Sequence, residues 1–196
     1  MQRGHTRAPS GEEPRMRRLL RVLVPALLLL LAWGVMSRVC AKGPSLGPST
    51  KVTRVLVKKS AHTLTLFDGT RPVATYQVAI GPGGKGPKRR EGDKVTPVGR
   101  YHVVGQKPSK YRVFMRLDYP NAEDRKRFDE AMREGRLDPS ATIGGDVGIH
   151  GAPPAKEWKL VHKTVDWTLG CVALDDDEIE EVAAHVPTGT PVDIED

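Results

Sequence analysis

The sequence predicts a mainly β domain, a β-sandwich or barrel with two peripheral helices. After residue 51, most apolar stretches are short, rich in β-branched residues and bounded by Gly, Pro or Asp, which is typical of strands. Only two stretches combine an N-capping residue with apolar side chains at helical spacing. The length of 196 residues suits one domain rather than two.

The first three strands are predicted at 52–57, 63–67 and about 73–80. The second alternates apolar and polar residues and ends at Asp68-Gly69, a dipeptide typical of a β-hairpin turn. We therefore expect an antiparallel meander at the start of the domain.

A loop rich in glycine and basic residues follows at 81–92, with Lys85, Lys88, Arg89 and Arg90. It lacks the Gly-Lys-Ser/Thr sequence of a phosphate-binding loop, so we expect a flexible, solvated loop. The next strand begins near Thr96, where Pro97 fixes φ.

The clearest strand is predicted at 111–117, and Asn121 then caps a polar surface helix that ends near Arg133. A short buried strand is expected at 171–174. Asp175 begins the second helix, which ends near His185, and residues 191–194 form the last strand.

The N-terminus has the pattern of an export signal. Basic residues up to Arg21 precede an apolar run at 22–36, which is short for a membrane span. Cleavage is expected after Ala41, and Met16 is an alternative start; an uncleaved anchor is the other interpretation. We thus predict a cytoplasmic tail plus signal peptide or anchor at 1–41, a linker at 42–51, and a folded domain at 52–196 in the periplasm or cell envelope.

The positive charge of the chain lies mostly in this N-terminal segment. Residues 1–41 hold seven Arg and two acidic residues, a charge of +5, so the net charge of +7 leaves +2 for residues 42–196. This distribution does not favour nucleic-acid binding by the folded part.

Cys171 is the sequence's best candidate for a nucleophile. If the signal is cleaved, Cys40 is removed and Cys171 has no disulfide partner. His150 lies on another short apolar run, 147–151, so the two side chains can meet and act as nucleophile and base. Backbone N–H groups around Leu169, Gly170 and Cys171 are expected to stabilise an oxyanion.

Other residues compete for these roles. His162 is a second candidate base, whereas His62 and His102 lie in predicted strands. Asp166 can orient a base, bind substrate or brace the turn before Cys171. No metal-binding spacing is present, so we expect neither a metal nor a cofactor.

The sequence from 52 to 194 resembles the YkuD-type L,D-transpeptidase catalytic domain. The resemblance is carried by GDKVTPVGRY at 92–101, IHG at 149–151, TLGCVAL at 168–174 and GTPVDI at 189–194. It implies a β-rich fold and a cysteine that attacks the L,D amide between the third stem residue and D-Ala of peptidoglycan. It also implies that carbapenems acylate this cysteine.

Carried over residue by residue, the resemblance makes Cys171 the nucleophile and His150 the proton acceptor. The Gly151 carbonyl would orient that base, and Gly170 would lie in the oxyanion-hole region. Asp166, Trp167, Thr168 and Leu169 are the expected substrate-binding residues. Two positions depart from the family pattern: Leu169 stands where a second His is usual, and Ala173 where Arg is common.

The expected function is therefore an exported L,D-transpeptidase of peptidoglycan biosynthesis, which affects wall organisation and cell shape. Its partners would be stem peptides, possible wall-attached lipoproteins, and the membrane if the N-terminal segment is uncleaved. The alternatives are a hydrolytic L,D-carboxypeptidase or amidase, and a catalytically silent wall-binding module.

Overall fold

Eight strands form one mixed sheet within residues 46–196, the part of the chain that the computed structural model describes. The order across the sheet is β3-β2-β1-β8-β4-β5-β6-β7. The strands are β1 Arg54–Lys58, β2 Thr63–Asp68, β3 Arg71–Gln77, β4 Gly99–Ser109, β5 Arg112–Leu117, β6 Gly148–His150, β7 Val172–Ala173 and β8 Pro191–Glu195. The mainly β fold class is confirmed.

The predicted meander is present as β1, β2 and β3, which pair antiparallel in sequence order. The last strand, β8, lies parallel to β1 and antiparallel to β4, so it joins the meander to the second half of the sheet. Strand β3 ends at Gln77 rather than at the predicted residue 80, because the chain then leaves β2 and contacts a different strand.

The two edges of the sheet meet through that segment. Ala79 follows β3 and pairs with Ala173 of β7, where the two alanines exchange backbone hydrogen bonds of 3.0 and 2.8 Å. A sheet whose first and last strands are joined is curled into a barrel-like form. The residue two positions after Cys171 therefore lies in the seam that closes the sheet.

Apolar side chains on the inner face of the sheet form one core. The alternation predicted for β2 places Leu64 and Leu66 inside, and both are fully buried. Burial of a leucine side chain contributes about 1.5–3 kcal/mol. The largest fully buried apolar side chains are Tyr101, Leu64, Leu66, Met115, Leu117, Ile149, Leu174, Ile179 and Ile194.

Both predicted helices are present, α1 (Ala122–Arg133) and α3 (Asp176–His185), and each begins with a capping box, at Asn121 and Asp175. The structure adds a one-turn helix that was not predicted, α2 (Lys156–Lys159), and a 3-10 turn at His162–Thr164.

The predicted export segment, 1–41, lies outside the described residues. The end of the predicted linker is described: Leu46 packs against the core, and its N–H donates to Glu181 Oε1 at 2.6 Å. Within residues 46–196, none of the helices has the length and apolar character needed to cross a bilayer.

Candidate active site

The predicted base ends one strand, and the predicted nucleophile immediately precedes the neighbouring strand. Strand β6 ends at His150 and pairs in parallel with β7, in the register Ile149 to Val172 and His150 to Ala173. Side chains alternate between the faces of a strand. Cys171, just before β7, is therefore expected to project to the same face as Ala173 and His150.

The thiol of Cys171 contacts the backbone before β6 rather than the imidazole. Its Sγ donates to the carbonyl oxygen of Asp146 at 3.6 Å. The direct hydrogen bond expected between Cys171 and His150 is not among those formed by the described residues. The structure brings the two strands together but does not show the resting thiol and imidazole bonded to each other.

The electrostatic surroundings of Cys171 favour the neutral thiol. Burial raises its pKa above the ordinary value, the Gly148 N–H and the Lys88 ammonium act in the opposite direction, and the Asp146 carboxylate raises the pKa further. A proton acceptor is therefore needed to generate the thiolate at neutral pH.

His150 is arranged as a neutral base. Its ring is 4 % exposed, and burial lowers its pKa below the ordinary value. Its Nδ1 lies 2.8 Å from the Gly151 carbonyl oxygen; because a carbonyl only accepts, Nδ1 carries the hydrogen. In the neutral ring, Nε2 then has a free lone pair. Tyr111 stacks on the ring at 4.5 Å between centroids, and Trp167 contacts it at 5.6 Å.

The glycines beside His150 are required by the protein's own packing. A Cβ on Gly151 would lie 2.6 Å from the Tyr111 carbonyl oxygen, and one on Gly148 would lie 2.5 Å from that of Met115. These two glycines therefore let β6 and the residue after it approach their neighbours closely.

The turn before Cys171 is held by hydrogen bonds on both sides. The N–H groups of Trp167 and Thr168 donate to the Ile80 carbonyl oxygen. The Thr168 hydroxyl donates to the Cys171 carbonyl oxygen at 2.7 Å and accepts from the Gly170 N–H at 3.2 Å. Gly170 has φ +130°, and a Cβ there would lie 2.8 Å from the Val95 carbonyl oxygen, so this position requires glycine.

These bonds narrow the choice of oxyanion donors. The Gly170 N–H is already used by Thr168, which argues against it as a free donor. The Cys171 N–H has no acceptor among the described residues, so it is available to a ligand next to the sulfur.

The four predicted substrate-binding residues differ in accessibility. Asp166 accepts from His62 Nε2 at 3.1 Å and from the Ile80 N–H at 3.2 Å, which makes it a brace of the turn. Thr168 is buried, and Trp167 packs its ring on His150. Leu169, with 73 % of its surface exposed, remains open to a ligand.

The competing histidines have other partners. His162 is buried and its Nε2 lies 2.8 Å from Asp175 Oδ1, while His102 pairs with Asp118. No group of three or more potential metal ligands occurs within residues 46–196.

The segment 81–96 contributes residues that the sequence analysis did not place in the site. The Thr96 hydroxyl accepts from the Gly81 N–H at 3.0 Å and donates to the Cys171 carbonyl oxygen at 3.4 Å. Lys88 is buried beside Gly170 and paired with Asp93. The expectation of a flexible, solvated loop is wrong for Lys88, because its side chain is buried and bonded to Asp93, which also accepts from the N–H groups of Arg89 and Arg90. The GDKVTP sequence at 92–97, part of the family resemblance, was the feature from which the proximity of this loop to the site could have been predicted.

Comparison with known proteins identifies the family of this chain. The family model YkuD, the L,D-transpeptidase catalytic domain, matches residues 52–194. No curated protein matches the chain.

Solved structures are similar to parts of this chain. Pgp2 of Campylobacter jejuni, described as a helical cell shape determining protein, is 24 % identical with a TM-score of 0.52, over 76 % of this chain and 49 % of Pgp2. L,D-transpeptidase 1 of Mycobacterium tuberculosis is 15 % identical with a TM-score of 0.44, over 73 % of this chain and 61 % of that protein. The chain spans about half the length of Pgp2.

Proposed function

Because the chain belongs to the YkuD family of L,D-transpeptidase catalytic domains, we propose that it is an exported cysteine L,D-transpeptidase that acts on peptidoglycan stem peptides. The observation that carries this proposal is the parallel pairing of β6 and β7, because His150 is the last residue of β6 and Cys171 immediately precedes β7. The Cys171 N–H, without an acceptor among the described residues, supports the same chemistry.

The first half of the reaction forms a thioester. His150 Nε2 takes the thiol proton once Sγ leaves the Asp146 carbonyl, and the sulfur attacks the carbonyl carbon of the L,D amide. The resulting oxyanion accepts a hydrogen bond from the Cys171 N–H. When the tetrahedral intermediate collapses, the carbon–nitrogen bond breaks and His150 returns the proton to the departing D-Ala amine.

The second half releases the acyl group. An amine of a neighbouring stem or of a wall-attached lipoprotein attacks the thioester, gives its proton to His150, and leaves a new amide and a free thiol. Water in place of the amine would give a carboxypeptidase or amidase. Residues 22–36 would direct export to the envelope, as a cleaved signal or as an anchor.

A β-lactam trap tests for an activated thiol. The full chain is incubated with a carbapenem and its intact mass is measured, with Cys171→Ala as the matched control. We expect a single adduct on the native protein, mapped to the peptide that contains Cys171, and none on the variant. A native chain that stays unmodified would contradict the proposed acyl-enzyme and favour a silent wall-binding module.

Stem peptides identify the acceptor. A tetrapeptide stem is incubated with and without a second stem that supplies a free amine, and the products are separated by mass. Cross-linked dimer in the presence of the amine indicates transpeptidation, whereas tripeptide and D-Ala under both conditions indicate hydrolysis. Turnover by Cys171→Ala would refute the nucleophile assignment.

A further inference from the structure

A buried lysine lies next to the turn that carries the nucleophile. The side chain of Lys88 is 4 % exposed, and buried lysines are uncommon because the ammonium loses its hydration. A Cβ on Gly170 would lie 3.7 Å from Lys88 Nζ. The ammonium is therefore packed against the residue that precedes Cys171.

Asp93 fixes the ammonium at this position. Its Oδ1 lies 2.5 Å from Lys88 Nζ and accepts from the Val95 N–H, and its Oδ2 accepts from the N–H groups of Arg89 and Arg90. Burial tends to raise the pKa of Asp93, but these hydrogen bonds outweigh it and the pKa is lowered. The pair is charged and held by its own loop.

We propose that Lys88 is a positioning residue for the reaction: its ammonium, held beside Gly170, stabilises the thiolate of Cys171. His150 still removes the proton. The Lys88 ammonium lowers the free energy of the negative charge that forms on sulfur. This inference rests on the proposed function, in which the Cys171 thiolate is the attacking species.

The charges around the sulfur support this role. The attraction of Lys88 lowers the pKa of Cys171, whereas the carboxylate of Asp146 raises it. Asp146 is itself paired with Arg116 at 3.3 Å, and its side chain is 83 % exposed. His150 adds no charge while it is neutral. The Lys88 ammonium therefore offsets part of the rise in the Cys171 pKa that burial causes.

A purely structural role is the alternative. Lys88 would then serve only to neutralise Asp93 and hold the loop, and its removal would lower stability without changing how Cys171 ionises. The pH dependence of thiol reactivity separates the two roles, because it reports the charge near sulfur rather than the stability of the fold.

The test measures alkylation of Cys171 by iodoacetamide across a pH series in the full chain. The rate is read from the peptide that contains Cys171, because Cys40 is a second thiol. In Lys88→Met we expect the pH midpoint to rise by about one unit. Lys88→Arg should restore most of the native midpoint, because the charge is kept. Asp146→Asn should lower the midpoint.

Two controls keep the test decisive. Lys107→Met removes an exposed lysine on β4 and should leave the midpoint unchanged. If Lys88→Met does not fold because Asp93 is left unpaired, the double variant Lys88→Met with Asp93→Asn removes both charges. Its midpoint should also rise, because Lys88 and not Asp93 is among the charges that shift the pKa of Cys171. A folded variant without Lys88 whose midpoint equals the native value would overturn the proposal. The assay contains no stem peptide, so a failure of the proposed function would not affect its outcome.

Discussion

Two histidines with similar burial have different surroundings. His150 at the end of β6 is 4 % exposed and His162 in the 3-10 turn is 1 % exposed, and both contact the ring of Trp167. His150 bonds to the Gly151 carbonyl, whereas His162 bonds to the carboxylate of Asp175. The hydrogen-bond partner, rather than burial, therefore distinguishes a candidate base from a structural histidine.

The difference follows from charge. A carbonyl orients the imidazole of His150 without stabilising a positive charge as a carboxylate does, so burial keeps the pKa of His150 low. Around His162, burial would raise the pKa of Asp175, but hydrogen bonds from His162 and Lys163 lower it to about 2. That charged cluster ties the 3-10 turn to the beginning of α3.

Replacement of the two histidines should give the largest contrast. His150→Gln is expected to lower the rate of carbapenem acylation by about 10²–10⁴-fold, the usual contribution of a general base. His162→Gln should lower thermal stability and leave the acylation rate within about threefold of native, because its partner is a structural carboxylate. Stopped-flow acylation kinetics and thermal unfolding of both variants check this. A greater rate loss for His162→Gln would reverse the assignment.

A substitution of Gly151 should displace the backbone carbonyl that orients His150. Gly151→Ala places a methyl group 2.6 Å from the Tyr111 carbonyl oxygen, and such overpacking costs about 1–3 kcal/mol. We expect the unfolding temperature to fall by several degrees, together with slower acylation. Gly105→Ala, where a Cβ would meet nothing within 4 Å, is the matched control. Equal stability of the two variants would show that β6 can relax.

The turn next to Trp167 can be perturbed without a steric clash. Thr168→Val removes a donor to the Cys171 carbonyl and leaves the Gly170 N–H without its acceptor, a loss of about 1–3 kcal/mol. Thr168→Ser retains the hydroxyl and should be close to native. Denaturant unfolding gives the free energies. If Thr168→Val and Thr168→Ser have the same free energy of unfolding, the hydroxyl does not hold the turn.

Protonation of Asp175, the hydrogen-bond partner of His162, should have the smallest effect. The pKa of Asp175, about 2, is below its ordinary value of 3.8. The carboxylate therefore stabilises the fold above about pH 4, and this contribution is lost as the pH falls from about 4 to 2. Asp175→Asn should flatten the fall in unfolding temperature over that range. Asp129→Asn, on exposed helix α1, should retain the native slope.

Local patterns predicted most of the architecture. Alternation in β2 and the Asp68-Gly69 turn indicated the meander, and the Asn121 and Asp175 caps indicated α1 and α3, because these signals act over a few residues. The pairing of β8 with β1 and the contact of Ala79 with Ala173 depend on residues far apart in sequence. Periodicity carries no information about such pairs.

The candidate site was predicted in part. Cys171 and His150 could be selected by residue type. In the structure His150 ends β6, and Cys171 immediately precedes the paired strand β7. Lys88 was missed because basic residues in a glycine-rich loop are usually solvated, and only Asp93 and Gly170 together make its burial favourable. Whether Asp166 braces the turn or faces a ligand could be decided only from its bonds to His62 and Ile80.

The seam between Ala79 and Ala173 links chemistry to the order of folding. Ala173 follows the nucleophile by two residues, so the turn around Cys171 reaches its native geometry when the opposite margins of the sheet have joined. Contacts between distant parts of a chain form slowly. We therefore expect Cys171 of a newly made chain to stay unreactive until the barrel is complete, so that the proposed acyl transfer would begin only after folding.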